Sequence, residues 1–186
     1  MQAAQTASPD HWISQSDVVF TATEVSAAID RMATQLRALV IDQPIILLCV
    51  MRGGLYLAGH LMSRLALPAK LDYLQANRYH GTAGQEIVWS KQPELNLADQ
   101  IVVVVDDILD EGITLAAVVQ HCQEAGARRV LTAVLTEKDN GLQKPLQADV
   151  VGLTVPNRYV FGCGMDVYGW WRNLPEIRAL TESECS

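Results

Sequence analysis

The chain has 186 residues, 49% hydrophobic and 19% charged, with 14 Lys+Arg set against 21 Asp+Glu for a net charge of −7. That length and apolar content predict one globular domain burying roughly two-thirds of its unfolded surface, and exclude a disordered chain. The acidic balance excludes the basic stripe that grips duplex nucleic acid, but leaves room for a phosphate held locally by backbone amides and one or two cations.

Residues 1–10 are small and polar, with neither the basic nor the apolar stretch of a secretory leader, and residues up to Gln15 read as a loose terminus that Trp12 and Ile13 dock. Val25, Ala28, Ile29, Met32 and Leu36 recur at helical spacing, with Thr23 as the expected N-cap and Pro44 closing the unit. Residues 45–50 are continuously apolar, the mark of a strand buried on both faces. Arg52-Gly53-Gly54 interrupts the chain, and a second amphipathic helix runs through Leu57, Leu61, Met62 and Leu65 to Pro68.

Residues 70–75 read as a strand, 76–85 as a mobile polar loop with Gly81 and Gly84, and 86–90 as a return strand. Residues 92–100 are a connector and 101–105 a second buried strand. Gly112 opens a helix carrying Leu115, Val118, Val119 and Cys122 on one face, with Gly126 as its stop. Residues 130–136, 150–155 and 159–163 complete the set of strands.

No apolar run approaches the ~20 residues of a membrane span. Cys49, Cys122, Cys163 and Cys185 form no CxxC pair, so neither a zinc ribbon nor a disulfide framework is expected. A soluble cytoplasmic protein follows, with no nucleic-acid or membrane partner. Apolar strands alternating with helices predict an α/β fold: a mostly parallel sheet with helices on both faces, whose ligands gather beyond the carboxyl ends of the strands. The ends after Val50 and Val105 stand out.

After Val105 the chain reads Asp106-Asp107-Ile108-Leu109-Asp110-Glu111-Gly112-Ile113-Thr114. Adjacent carboxylates at the end of a buried strand repel each other and want hydroxyl donors or a divalent cation. Gly112 and the free amides at the helix start form an anion cradle. A ribose 5-phosphate satisfies both demands.

This segment resembles the phosphoribosyl pyrophosphate motif of the type I phosphoribosyltransferases: hydrophobic strand, two acids, two apolar residues, Asp, a short turn, Gly, x, Thr. Residues 45–174 resemble the hypoxanthine-guanine phosphoribosyltransferases. The resemblance implies a twisted sheet core of about residues 40–155 and a small hood subdomain from about 1–22 and 156–186, within a single domain. It implies that Asp106 and Asp107 hold the ribose hydroxyls beside Mg2+, that Asp110 is the base at purine N7, and that the turn Asp110, Glu111, Gly112, Ile113, Thr114 takes the 5-phosphate. Glu111 stands where many relatives have a hydroxyl residue, and its side chain is expected to turn outward.

The resemblance further assigns pyrophosphate to Arg52 and Gly53, through a cis peptide at Met51-Arg52, to Arg172, and to Tyr79 in a lid loop. It assigns the purine to Lys138 at O6, to Tyr159 stacking on the ring, to Val160, to Arg158, and to Asp166, which is also a metal-side acid. A Mg2+-dependent transferase joining phosphoribosyl pyrophosphate to a 6-oxopurine, assembled as a homodimer or homotetramer, is the implied protein. A nucleotide-sensing regulator on the same fold stays open as the alternative. It is disfavoured by the acidic charge and the absence of a Lys/Arg cluster. A phospho-acceptor receiver domain fits poorly, because its acid pair would come early in the chain.

Overall fold

The computed structural model describes residues 8–81 and 84–181, with the backbone alone at 77–81 and 84–86. The chain runs α1 (Pro9–Ser14), β1 (Ser16–Phe20), α2 (Ala22–Val40), β2 (Ile45–Val50), α3 (Leu55–Arg64), β3 (Ala69–Gly81), β4 (Gly84–Lys91), β5 (Ile101–Leu109), α4 (Ile113–Glu124), β6 (Arg129–Asp139), β7 (Val150–Pro156), β8 (Val160–Phe161) and β9 (Ile177–Leu180). Six strands form one sheet in the order β4-β3-β2-β5-β6-β7. Every pair is parallel except β3 with β4.

Successive strand residues point to opposite faces, so each buried strand feeds two cores. Leu47, Cys49, Val103 and Val105 pack with α2 and α3, whereas Ile46, Leu48, Val102 and Val104 pack with Leu115, Val118 and Cys122 of α4. Both faces are thus covered, as the continuous apolar runs require. Burial pushes the Cys49 thiol up to about 12 and the Cys122 thiol up to about 11, which makes both poor nucleophiles. No helix among the described residues is long and apolar enough to cross a membrane.

Several boundaries differ from those expected. The cap of α2 is Thr21, not Thr23. Its hydroxyl accepts from the Glu24 amide at 3.4 Å while the Glu24 carboxylate accepts from the Thr21 amide at 2.8 Å. Thr21 has an acid three residues on and Thr23 has Ser26, so only the first can close a capping box. Residues 76–81 and 84–85, expected in a loop, continue β3 and β4 as an antiparallel arm, from Ala76↔Trp89 to Gly81↔Gly84. Antiparallel pairing satisfies the backbone whatever the side-chain polarity, which is why a polar composition misleads there.

The terminal segments build a second sheet, in the order β1-β9-β8, antiparallel throughout. Neither β1 nor β9 was expected, both being too short to show a pattern. Of the terminus expected to be loose, residues 8–15 are described and are held by Trp12 as expected: Trp12 of α1 is buried with Phe161, Val167 and Leu180, and the Trp171 indole donates to the Pro9 carbonyl at 2.6 Å.

Candidate active site

The described functional residues gather at the carboxyl ends of β2, β5 and β6. At the end of β2 the Met51-Arg52 peptide is cis, and Gly53 is buried against the acid pair. A Cβ on Gly53 would lie 1.8 Å from Asp107 Oδ2, so only glycine permits this approach. Met51, Gly53, Asp106, Asp107, Asp110, Glu111, Gly112 and Thr114 line one cavity of about 320 Å3. Gly112, at φ 83, makes the left-handed turn into α4.

The strand carrying the acids is longer than expected. Pairing with β6 persists through Asp106↔Val134 and Ile108↔Thr136 to Leu109↔Glu137, so Asp106 and Asp107 lie within β5 rather than after it. The Thr136 hydroxyl, itself buried, donates to the Asp107 carbonyl at 2.9 Å. Burial, and then the charge of Asp107, hold the Asp106 carboxyl well above the usual carboxylate range. Burial raises Asp107 as well, against opposing pulls from its hydrogen bond with Asp106 and from the Arg172 guanidinium.

A carboxyl raised in the folded state contributes stability that is complete below its unfolded value and is lost as pH rises through the folded one. Without a divalent cation the protein should therefore lose stability from mildly acidic towards neutral pH. Asp106→Asn should flatten that slope and raise the neutral melting temperature, each kcal/mol recovered giving about 2–4 °C in a chain of this size. Thermal melts of both proteins across pH check this.

Asp107 and Asp110 also line a neighbouring cavity of about 210 Å3 with Lys138, Tyr159, Val160, Met165 and Asp166. Lys138 Nζ donates to Asp110 Oδ2 at 2.6 Å, and Asn140 Nδ2 donates to Asp110 Oδ1 at 2.9 Å. Tyr159 presents its ring parallel to Tyr168, centroids 6.2 Å apart. The Asp166 carboxylate pairs with Arg172 and accepts from the Gly169 amide at 2.7 Å.

The structure brings most of the sequence-predicted residues into these two cavities, with definite exceptions. Arg158 does not face the purine side: its guanidinium binds Asp17 and the Leu180 carbonyl, bracing the second sheet. Arg52 is exposed and lines neither cavity. Arg172 is tied to Asp166 and Gly164, though its charge reaches Asp107. Ile113 is the first residue of α4 and lines neither cavity. The Tyr79 side chain lies outside the described residues. Asp166 does not join Asp106 and Asp107 as one ligand set, and no three His, Cys, Asp or Glu side chains converge for a metal among the described residues. Asn140, Thr136 and Met165 were missed, since nothing local marks a residue whose partner lies far along the chain.

A sheet with its acid pair and glycine turn at the strand ends, roofed by a second small sheet, defines a class of phosphosugar-binding α/β proteins. The chain belongs to the phosphoribosyl transferase domain family, which it matches over residues 17–168. A hypoxanthine-guanine-xanthine phosphoribosyltransferase of Tritrichomonas foetus is 29% identical over 168 residues, covering 89% of this chain and 92% of its own. A hypoxanthine-guanine phosphoribosyltransferase of Streptococcus pneumoniae is 29% identical over 167 residues, covering 89% and 93%. In fold, a hypoxanthine phosphoribosyltransferase from Staphylococcus aureus matches at a TM-score of 0.87 and 23% identity, over 97% of this chain and 99% of that one.

Proposed function

We propose that this chain is a cytoplasmic, Mg2+-dependent purine-salvage enzyme that transfers the 5-phosphoribosyl group from phosphoribosyl pyrophosphate to hypoxanthine, guanine or both. One observation carries the reading: the Asp110 carboxylate and the Lys138 ammonium stand side by side in a cavity walled by Tyr159. On a 6-oxopurine, N7–H and O6 are neighbours on one edge and present the complementary donor and acceptor. Adenine carries an amino group at that position and would set donor against donor. The names of the relatives point to the same bases.

In the reaction the bond from ribose C1′ to pyrophosphate breaks and the bond from C1′ to purine N9 forms. The N7 proton passes to Asp110, while Lys138 stabilises negative charge developing on O6. Asp106 and Asp107 bind the ribose hydroxyls, donors that would stabilise two adjacent buried carboxylates. The amides of the Asp110-to-Thr114 turn take the 5-phosphate, with Glu111 lending its backbone. Gly53, which lines the cavity with the acids, and Arg172, whose charge reaches Asp107, attend pyrophosphate, with Arg52 and Tyr79 assigned there by the family resemblance alone. Tyr159 stacks on the base, with Val160 and Asp166 beside it.

The donor set suits a hard cation that keeps most of its ligands from water and substrate phosphates, since the described residues offer carboxylates but no closed cage. Asp106, Asp107 and, on the purine side, Asp166 would hold Mg2+, which supplies charge neutralisation to the departing pyrophosphate. Leu55, Leu71 and Tyr73 are exposed while Leu57 and Leu61 are core, which supports a homodimer or homotetramer.

The test is a purine panel with Mg2+ and phosphoribosyl pyrophosphate. Turnover is expected with hypoxanthine or guanine and not with adenine. No turnover with any base, together with tight phosphoribosyl pyrophosphate binding, would replace the enzyme with a nucleotide sensor.

A further inference from the structure

The loop after β6 is not accounted for by any of these roles, yet it touches the Asp110-to-Gly112 turn at several points. Asn140 Nδ2 donates to Asp110 Oδ1 at 2.9 Å and lies 3.3 Å from the Asp110 carbonyl. Lys144, with a side chain only 10% exposed, donates to the Leu109 carbonyl at 3.3 Å, the Lys138 carbonyl at 2.8 Å and the Glu137 carboxylate at 2.9 Å. Pro145 sits over Gly112, its Cδ 3.2 Å from where a Cβ would stand.

We propose that Asn140 is a positioning residue for Asp110, held in place by the Lys144 and Pro145 contacts of its loop; this rests on Asp110 being the base at N7. The orientation of the amide follows from its surroundings. Asn140 Oδ1 accepts from the Leu142 amide at 3.1 Å, so the opposite end, facing the carboxylate, is the donor. Asp110 is 39% exposed and has two partners, one on each oxygen. When a purine engages Lys138 through O6, that ion pair is disturbed and N7 approaches one carboxylate oxygen. The Asn140 bond is then what stops the carboxylate rotating out of line, and misplacement of a base costs turnover steeply. Lys144 couples the same loop to the ends of β5 and β6, so the base and the O6 donor keep a common frame.

Asn140→Asp and Asn140→Ala test this together. The Asp variant retains the acceptor for the Leu142 amide, hence the turn, and replaces the donor with a carboxylate that repels Asp110. The Ala variant removes both and decides the matter if the Asp variant does not fold. Both should lower kcat for a 6-oxopurine by about 10- to 100-fold. The KM for phosphoribosyl pyrophosphate should stay within about twofold, because Lys144 and Pro145 still brace the Leu109-to-Gly112 turn when the Asn140 side chain is lost. Wild-type kcat in a folded variant, or kcat and phosphoribosyl pyrophosphate KM worsening in parallel, would overturn the positioning role while leaving the activity standing. A wild-type protein inert with every purine overturns the activity itself, and the role with it.

Discussion

Asp110→Asn should cut turnover of hypoxanthine or guanine by about 10²- to 10⁴-fold, the range that loss of a positioned general base produces. The substitution preserves shape and the bond from Asn140 can persist, but an amide cannot accept the N7 proton. One of its two ends must also face either the Lys138 ammonium or the Asn140 amide as donor against donor, since each carboxylate oxygen has its own partner at 2.6 Å and 2.9 Å. Steady-state kinetics with each substrate varied in turn separate the possibilities. A fall in kcat with little change in the KM for phosphoribosyl pyrophosphate is expected. An equal loss in both would mean that Asp110 serves the phosphoribosyl group rather than the base.

The second large effect belongs to Gly53→Ala. The added Cβ would meet Asp107 Oδ2 at 1.8 Å, its Cγ at 2.3 Å and its Oδ1 at 2.7 Å, distances no side chain tolerates. Either the carboxylate swings away or the loop after β2 retreats, and each breaks the alignment of the acid pair with that loop, on which the proposed reaction depends. We expect activity to fall by about 10²-fold or more, with weaker phosphoribosyl pyrophosphate binding by calorimetry. Gly59→Ala is the matched control. It lies in α3 with open space around its Cβ position, and should keep activity while adding roughly 0.5–1 kcal/mol from helix propensity. Unimpaired phosphoribosyl pyrophosphate binding in Gly53→Ala would remove Gly53 and Asp107 from that subsite.

The parts of the site readable in the sequence are those written in consecutive residues. The run from Val102 to Thr114 carries buried strand, acid pair, third acid, glycine turn and helix start in one stretch, so local rules of strand burial, charge repulsion and helix-terminus anion binding suffice to infer a phosphosugar. The structure seats Asp106, Asp107, Asp110, Gly112 and Thr114 around one cavity, as that inference requires. Lys138, Tyr159 and Asp166 lie far along the chain and were placed by resemblance, not by spacing. Their gathering beside Asp110 comes from the parallel register of β5 with β6 and from the chain returning over the strand ends after β7.

Beyond the local cap at Thr21, what failed did so where the partner is remote. Arg158 sits beside the aromatic in sequence, but its guanidinium finds Asp17, 141 residues away, and serves the second sheet. Asn140 shows no signal of its own because Asp110, 30 residues earlier, gives it its meaning. Strands β1 and β9 are five and four residues long, too short for a period, and take their hydrogen bonds from strands elsewhere in the chain, β1 from β9 and β9 from both β1 and β8. The sequence by itself therefore determined the layered sheet and the strand end that carries the acid pair and glycine turn, since alternation, burial and helix starts act over a few residues. Which side chains close over that strand end was decided by tertiary structure alone, because hydrogen bonds and ion pairs across the sheet depend on register and chain return, which no local pattern encodes.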